Sequence, residues 1–201
     1  MRPVALCLFL VALCQAATRN VTVLVHFEKP HSAVSVQALK QQLKKLLEPA
    51  GVAVDVMLKN EMPVSPQFAE LVVFEMKGSC SMSAMPPTLN EISEEHGPLG
   101  LAYESDGEIL HFGEILCDRV RYCLQRVTHG RNPAQHQAEY GAALGIVLAH
   151  EIYHMLAGAK AHTKDGLTKE SLSAYELLDG HLSIPEVVRT ALQRDMLLGT
   201  R

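Results

Sequence analysis

His150, Glu151 and His154 are the residues of this chain whose types and spacing most clearly suit chemistry. They stand in the run VLAHEIYHMLAGAKAH, residues 147–162. Two histidines four positions apart project from the same face of a helix, where one metal ion can take both imidazoles. Glu151 points to the side, within reach of a metal-bound water rather than of the metal. This is the H-E-x-x-H arrangement, two zinc ligands and a general base. Zinc brings the pKa of its bound water toward neutrality, and the carboxylate takes the proton as the water attacks a carbonyl.

The surroundings strengthen the reading. Residues 141–149, GAALGIVLA, are apolar on every side, so the helix that carries the motif is expected to be buried. Two imidazoles and a carboxylate buried without partners would cost on the order of several kcal/mol. A bound metal removes that cost.

A catalytic zinc takes three protein ligands and keeps one open position. His162 lies eight residues past His154, with Gly158 between them to end the helix and turn the chain back. Glu176 is the rival, 22 residues past His154 on a second, short helix. Asp165 and His181 are weaker options. His162 has the turn that would bring it to the metal, and His150, His154 and His162 are the expected ligand set.

These residues need elements to position them. Residues 20–28, NVTVLVHFE, are β-branched and read as a strand. Ser32 then caps an amphipathic helix in which Val34, Val36, Leu39, Leu43, Leu46 and Leu47 recur at helical spacing up to Pro49-Ala50-Gly51. Residues 52–58 and 70–76 are two further strands, so the start of the fold is a right-handed βαβ unit. Residues 99–105 and 108–116 form a hairpin around Asp106-Gly107. Helices follow at about 118–127, 134–157, around Tyr175 after Ser171 or Ser173, and from Pro185 to about Leu198. The expected fold is α+β. A mixed, mostly parallel sheet with an antiparallel edge hairpin packs on an N-terminal helix and a central motif-bearing helix. A small helical part closes the chain.

The 201 residues are 48% hydrophobic and 20% charged, which suits one globular domain with its own core. A formal net charge of -4 gives no basic footprint for nucleic acid. Met1-Arg2-Pro3, the apolar run 4–13 and the small residues Ala16-Ala17 read as a Sec-type signal peptide over residues 1–16, followed by a single domain over 17–201. The expected location is therefore secreted or periplasmic, with no transmembrane segment in the mature chain. Of five cysteines, Cys7 and Cys14 leave with the leader. Cys80, just past the third strand, and Cys117, just past the hairpin, can meet if those strands are neighbours. Cys117–Cys123 is the alternative, poorly suited by its spacing on one helix.

The run from His150 through His154 and Gly158 to His162 resembles the zincin metallopeptidases, and within them the metzincin-like branch. Metzincins place the glycine three and the third histidine six residues after the second histidine, whereas here the offsets are four and eight. The looser spacing is similar to that of small secreted bacterial zincin-like proteins. In many of these a methionine follows a Gly-Leu or Gly-Ile pair, and this chain has Gly166-Leu167-Thr168 instead. The resemblance implies a zincin-like fold and substrate backbone bound along an antiparallel edge strand, here residues 108–116.

The expected function is a secreted zinc-dependent endopeptidase acting on proteins or peptides, with Glu151 as general base. The alternative is an exported zinc-binding protein without peptidase activity, whose metal site would close with a fourth ligand such as Asp165. Tyr153 reads as a packing residue, and Tyr175 as a surface or core tyrosine, with the alternative that it reaches a developing oxyanion if the C-terminal helix folds back over the site. His26 and His111 lie in strands and read as packed or rim residues, and Met76, Met82 and Met85 as gap-fillers or loop residues. Asn20-Val21-Thr22 fits a glycosylation sequon.

Overall fold

The computed structural model describes residues 18–82, 97–125, 127–128 and 132–197. The expected signal peptide, most of the 77–98 loop and Met85 lie outside them. The strands are β1 (Arg19–Phe27), β2 (Val52–Leu58), β3 (Leu71–Lys77), β4 (Gly100–Ser105) and β5 (Glu108–Leu116). The helices are α1 (Ala33–Leu47), α2 (Cys117–Gln125), α3 (Pro133–Ala157), α4 (Ala174–Asp179) and α5 (Glu186–Leu197). Single 3-10 turns at Glu48–Ala50 and Lys59–Glu61, absent from the sequence reading, follow α1 and β2.

The sheet order is β2-β1-β3-β5-β4. β1, β2, β3 and β5 run parallel, and β4 pairs antiparallel with β5. Asp106 and Gly107 both take positive φ, 53° and 86°, which matches a two-residue turn to the twist of its strands. The fold is thus the mixed, mostly parallel sheet with an antiparallel edge pair that the strand pattern predicts. One expectation is corrected. The exposed edge strand is β4, residues 100–105, and not residues 108–116. β5 lies between β3, which pairs in parallel with its residues 112–116, and β4, which pairs antiparallel with it, so β5 is not the outermost strand.

Alternation sorts the sheet faces. Val21, Val23 and Val25 of β1, Val52, Val54 and Val56 of β2, and Val72, Phe74 and Met76 of β3 are buried toward the helices. α1 starts at Ser32, whose hydroxyl accepts from the Ser35 amide, and lays Leu39, Leu43 and Leu47 into the same core. α3 crosses α1 at its apolar stretch. Gly141 and Gly145, four apart and so on one face, bring the two backbones together. A Cβ on Gly141 would lie 2.1 Å from the Ser35 carbonyl oxygen, and one on Gly145 2.8 Å from that of Leu39. The run that reads as apolar all round is therefore buried on one side by bare backbone and on the other by the sheet.

Two ties fix the ends of this framework. Cys80 and Cys117 form a disulfide with Cα atoms 5.0 Å apart. It joins the chain just beyond β3 and β5, which are indeed neighbours. Cys123 remains a thiol. Closing a loop of 37 residues stabilises by about 4 kcal/mol in the chain-entropy account. At the other end, the Arg19 guanidinium grips both carboxylate oxygens of Glu70 at 2.6 and 2.7 Å. It also donates to the carbonyls of Leu156, near the end of α3, and Leu192 of α5. The C-terminal turn of the motif-bearing helix is thereby pinned to the start of the sheet. No helix among the described residues is long and apolar enough to cross a membrane.

Candidate metal centre

α3 delivers His150, Glu151 and His154 in its last two turns and ends at Gly158, which takes φ +55° and caps the helix by donating to the His154 carbonyl. Nothing lies within 4 Å of a Cβ built there, so the left-handed backbone, rather than crowding, asks for glycine. The reversal brings His162 back over the helix. Its ring centroid lies 5.3 Å from that of His150 and 4.8 Å from that of His154. The three residues present imidazole nitrogens that all lie within 4.8 Å of one another.

The ring orientations decide what this group can hold. His150 Nδ1 lies 2.9 Å from the Leu167 carbonyl, and His154 Nδ1 lies 2.6 Å from the Ala159 carbonyl. A carbonyl only accepts, so both Nδ1 atoms carry the hydrogen and both Nε2 atoms are bare. Those two Nε2 atoms face each other at 3.0 Å. Two facing lone pairs repel unless a cation lies between them. Burial holds the His150 pKa down at about 4, against a smaller upward pull from the Leu167 carbonyl, and burial also lowers that of His154. Both rings are thus neutral at pH 7, as metal ligands must be. Ligand atoms of a tetrahedral ion with bonds of about 2.0–2.1 Å lie about 3.3 Å apart. The spacing of the two helix histidines is close to this, and with His162 the group can hold a metal ion such as zinc, with carbonyl bonds behind two ligands in the manner of metal-bound histidines.

Glu151 is buried, at 7% exposure, and lies beside this group rather than in it. Burial lifts its carboxyl to about 7, opposed in part by the Ala102 backbone N–H. It lines a cleft of about 510 Å³ together with the three histidines, Gly100–Ala102 of the edge strand, Glu104, Lys160 and residues 169–172. Gly100 lets β4 approach α3. A Cβ on it would stand 3.1 Å from the Glu151 Cγ and 3.1 Å from Val147 Cγ1.

Glu176 is used elsewhere. Its carboxylate accepts from the Ser173 amide at 2.8 Å and the Ser173 hydroxyl at 2.7 Å, completing the cap of α4. It also pairs with Lys169 at 2.7 Å, and this bond above all holds its pKa down at about 2. Among the described residues the histidine group includes neither Glu176, Asp165 nor His181. Tyr175 is 74% exposed and does not line the cleft. His111 is exposed, and His26 faces Glu75 on the sheet. Met76 and Met82 are buried fillers.

The sequence reading missed the parts of the site made by main chain. The turn at Gly166-Leu167 lies beneath His150. Leu167 is fully buried, its amide donates to the Ser183 carbonyl, and its own carbonyl receives the His150 Nδ1–H. Gly166 has φ +81°, and a Cβ on it would lie 2.4 Å from the Ser183 carbonyl oxygen. The floor of the site is thus a tight Gly-Leu turn with no methionine. Tyr153, expected only to pack, also donates from its hydroxyl to the Ala161 carbonyl at 3.4 Å. A glycine before a buried leucine was the only trace of the floor in the sequence; a supporting carbonyl leaves none.

No family model matches the chain, and no curated protein matches it. Among solved structures the fold is similar to the crystal structure of archaemetzincin from Methanopyrus kandleri. The two share 13% identity and a TM-score of 0.51, over 92% of this chain and 99% of that one. At that identity the likeness is one of fold.

Proposed function

We propose that the chain is an exported zinc metallopeptidase, with His150, His154 and His162 as zinc ligands and Glu151 as general base. The observation that carries the reading is the pair of bare, neutral Nε2 atoms facing each other at 3.0 Å, with His162 drawn in beside them. The fold shared with a protein named as a metzincin agrees with the resemblance in the histidine motif. A structural zinc site closes with four protein ligands, whereas the group among the described residues has three and faces a cleft. That favours the enzyme over a metal-stabilised binding protein. The leader-like residues 1–16 and the Cys80–Cys117 disulfide support export.

Bound zinc would supply a Lewis acid and a water that ionises near neutral pH. The rest of the work falls to this chain. Glu151, held in a buried position with its carboxyl near 7, is suited to take a proton from that water and return it to the leaving amine. Among the described residues β4 has one unbonded backbone edge, to which an extended peptide can add as a further strand. Its Gly100 and Ala102 lie next to Glu151, so a peptide paired there passes the histidines in extended form, the geometry of an endopeptidase. The substrate class is protein or peptide.

A library of unstructured peptides tests the reading. Mature protein is expected to cut internal bonds, to stop when a strong chelator removes metal, and to recover on added zinc. Cleavage that is indifferent to the chelator would contradict it.

A further inference from the structure

His162 is exposed, so what holds it against the half-buried ring of His150 and the buried ring of His154 has to come from its chain neighbours. Four of them are anchored, Thr163 among them by its amide to the Thr168 carbonyl at 2.9 Å and its hydroxyl against that of Thr168 at 2.7 Å. The Ala159 carbonyl receives His154 Nδ1–H, and the Ala161 carbonyl receives the Tyr153 hydroxyl. Both of these anchors come from α3 itself. The fourth is different. Lys160 reaches across the cleft and pairs with Glu104 at 2.5 Å. Gly100, Ala102 and Glu104 of β4 all line the cleft, across a shift in the pairing with β5 between Ala102 and Glu104.

We propose that Glu104 and Lys160 form a strap across the cleft that positions His162, tying the third ligand to the strand along which a peptide would pair. The metal part of this inference rests on the zinc reading above. The strap spans from the open edge of the sheet to the loop two residues before the ligand, and among the described residues no other ion pair joins those two elements. Its partners are 57% and 45% exposed, so it is weak and open to screening by salt. It can steady an exposed loop without locking it. Glu104 and Lys160 are positioning residues, since neither belongs to the histidine group.

The test uses mature full-length protein with Glu104→Gln, Lys160→Met, and the exchange Glu104→Lys with Lys160→Glu. Two quantities are read: the rate of zinc release to a chromophoric chelator, and amide hydrogen exchange over residues 159–163 in metal-free protein. Each single variant is expected to release zinc about two- to fivefold faster at low salt, a difference that closes at high salt. Exchange over the loop should rise in the singles with α1 unchanged, and the exchanged pair should restore both readouts. Wild-type release and exchange in both single variants would overturn the strap while leaving the zinc centre standing. A wild type that takes up no zinc would overturn it together with the zinc reading, and is told apart by the metal content alone.

Discussion

Glu151→Gln is expected to abolish most hydrolysis while leaving zinc in place. The carboxylate lies outside the histidine group but lines the same cleft, so its removal takes no ligand away. Glutamine has nearly the same shape and can still accept from the Ala102 amide. What it lacks is the ability to take a proton. Loss of a positioned general base costs about 10²–10⁴-fold. The loss should fall on kcat, with KM little changed, because the proton moves only as the transition state forms. The melting temperature should not fall, since a buried carboxyl is exchanged for a neutral group. Kinetics on one peptide substrate, with metal content and melting measured on the same preparation, check all three. A variant that loses zinc along with activity would make Glu151 a ligand, or a support for one, and not the base.

Gly141→Ala is expected to destabilise the fold by about 3 kcal/mol, against the helix propensity of the two residues. Alanine is the better helix former by about 1 kcal/mol, so an ordinary exposed helix position would gain from the change. At Gly141 the new methyl would lie 2.1 Å from the Ser35 carbonyl oxygen and 2.6 Å from the Ser35 Cα, both backbone atoms that no rotamer change can move. α1 and α3 would have to separate, and α3 carries the histidines. Chemical denaturation should show a lower midpoint at an unchanged slope, and zinc affinity should fall with it. A neutral or stabilising effect would mean that the two helices do not cross here.

These two residues show what the sequence does and does not disclose. The alternation of Val21, Val23 and Val25 and the helical spacing of Leu39, Leu43 and Leu47 are local patterns, and the elements they announce are present. The disulfide was legible because it needs only that β3 and β5 be neighbours. The approach of His162 was legible because Gly158 offers the left-handed turn that produces it. Strand order across the hairpin was not, because alternation within β4 and β5 is the same whichever of them bonds to β3. Gly141 and Gly145 were read as apolar, although glycines four apart on a helix are also a face without side chains. The use of Glu176 had a signature, since Ser173-x-x-Glu176 is the spacing of a helix cap, but its partner Lys169 is brought near by the chain's turn at Gly166. The carbonyls of Leu167 and Ala159 carry no side-chain mark at all, and they are what orient the two helix histidines.

The central claim is that His150, His154 and His162 together hold one zinc ion. Elemental analysis of mature wild type, His162→Ala and Glu176→Ala, purified side by side, tests it most directly. The account predicts one zinc per chain in wild type and in Glu176→Ala, where only the cap of α4 is lost, and little or none in His162→Ala. Zinc retained by His162→Ala and lost from Glu176→Ala, or a wild type that holds no metal, would contradict it.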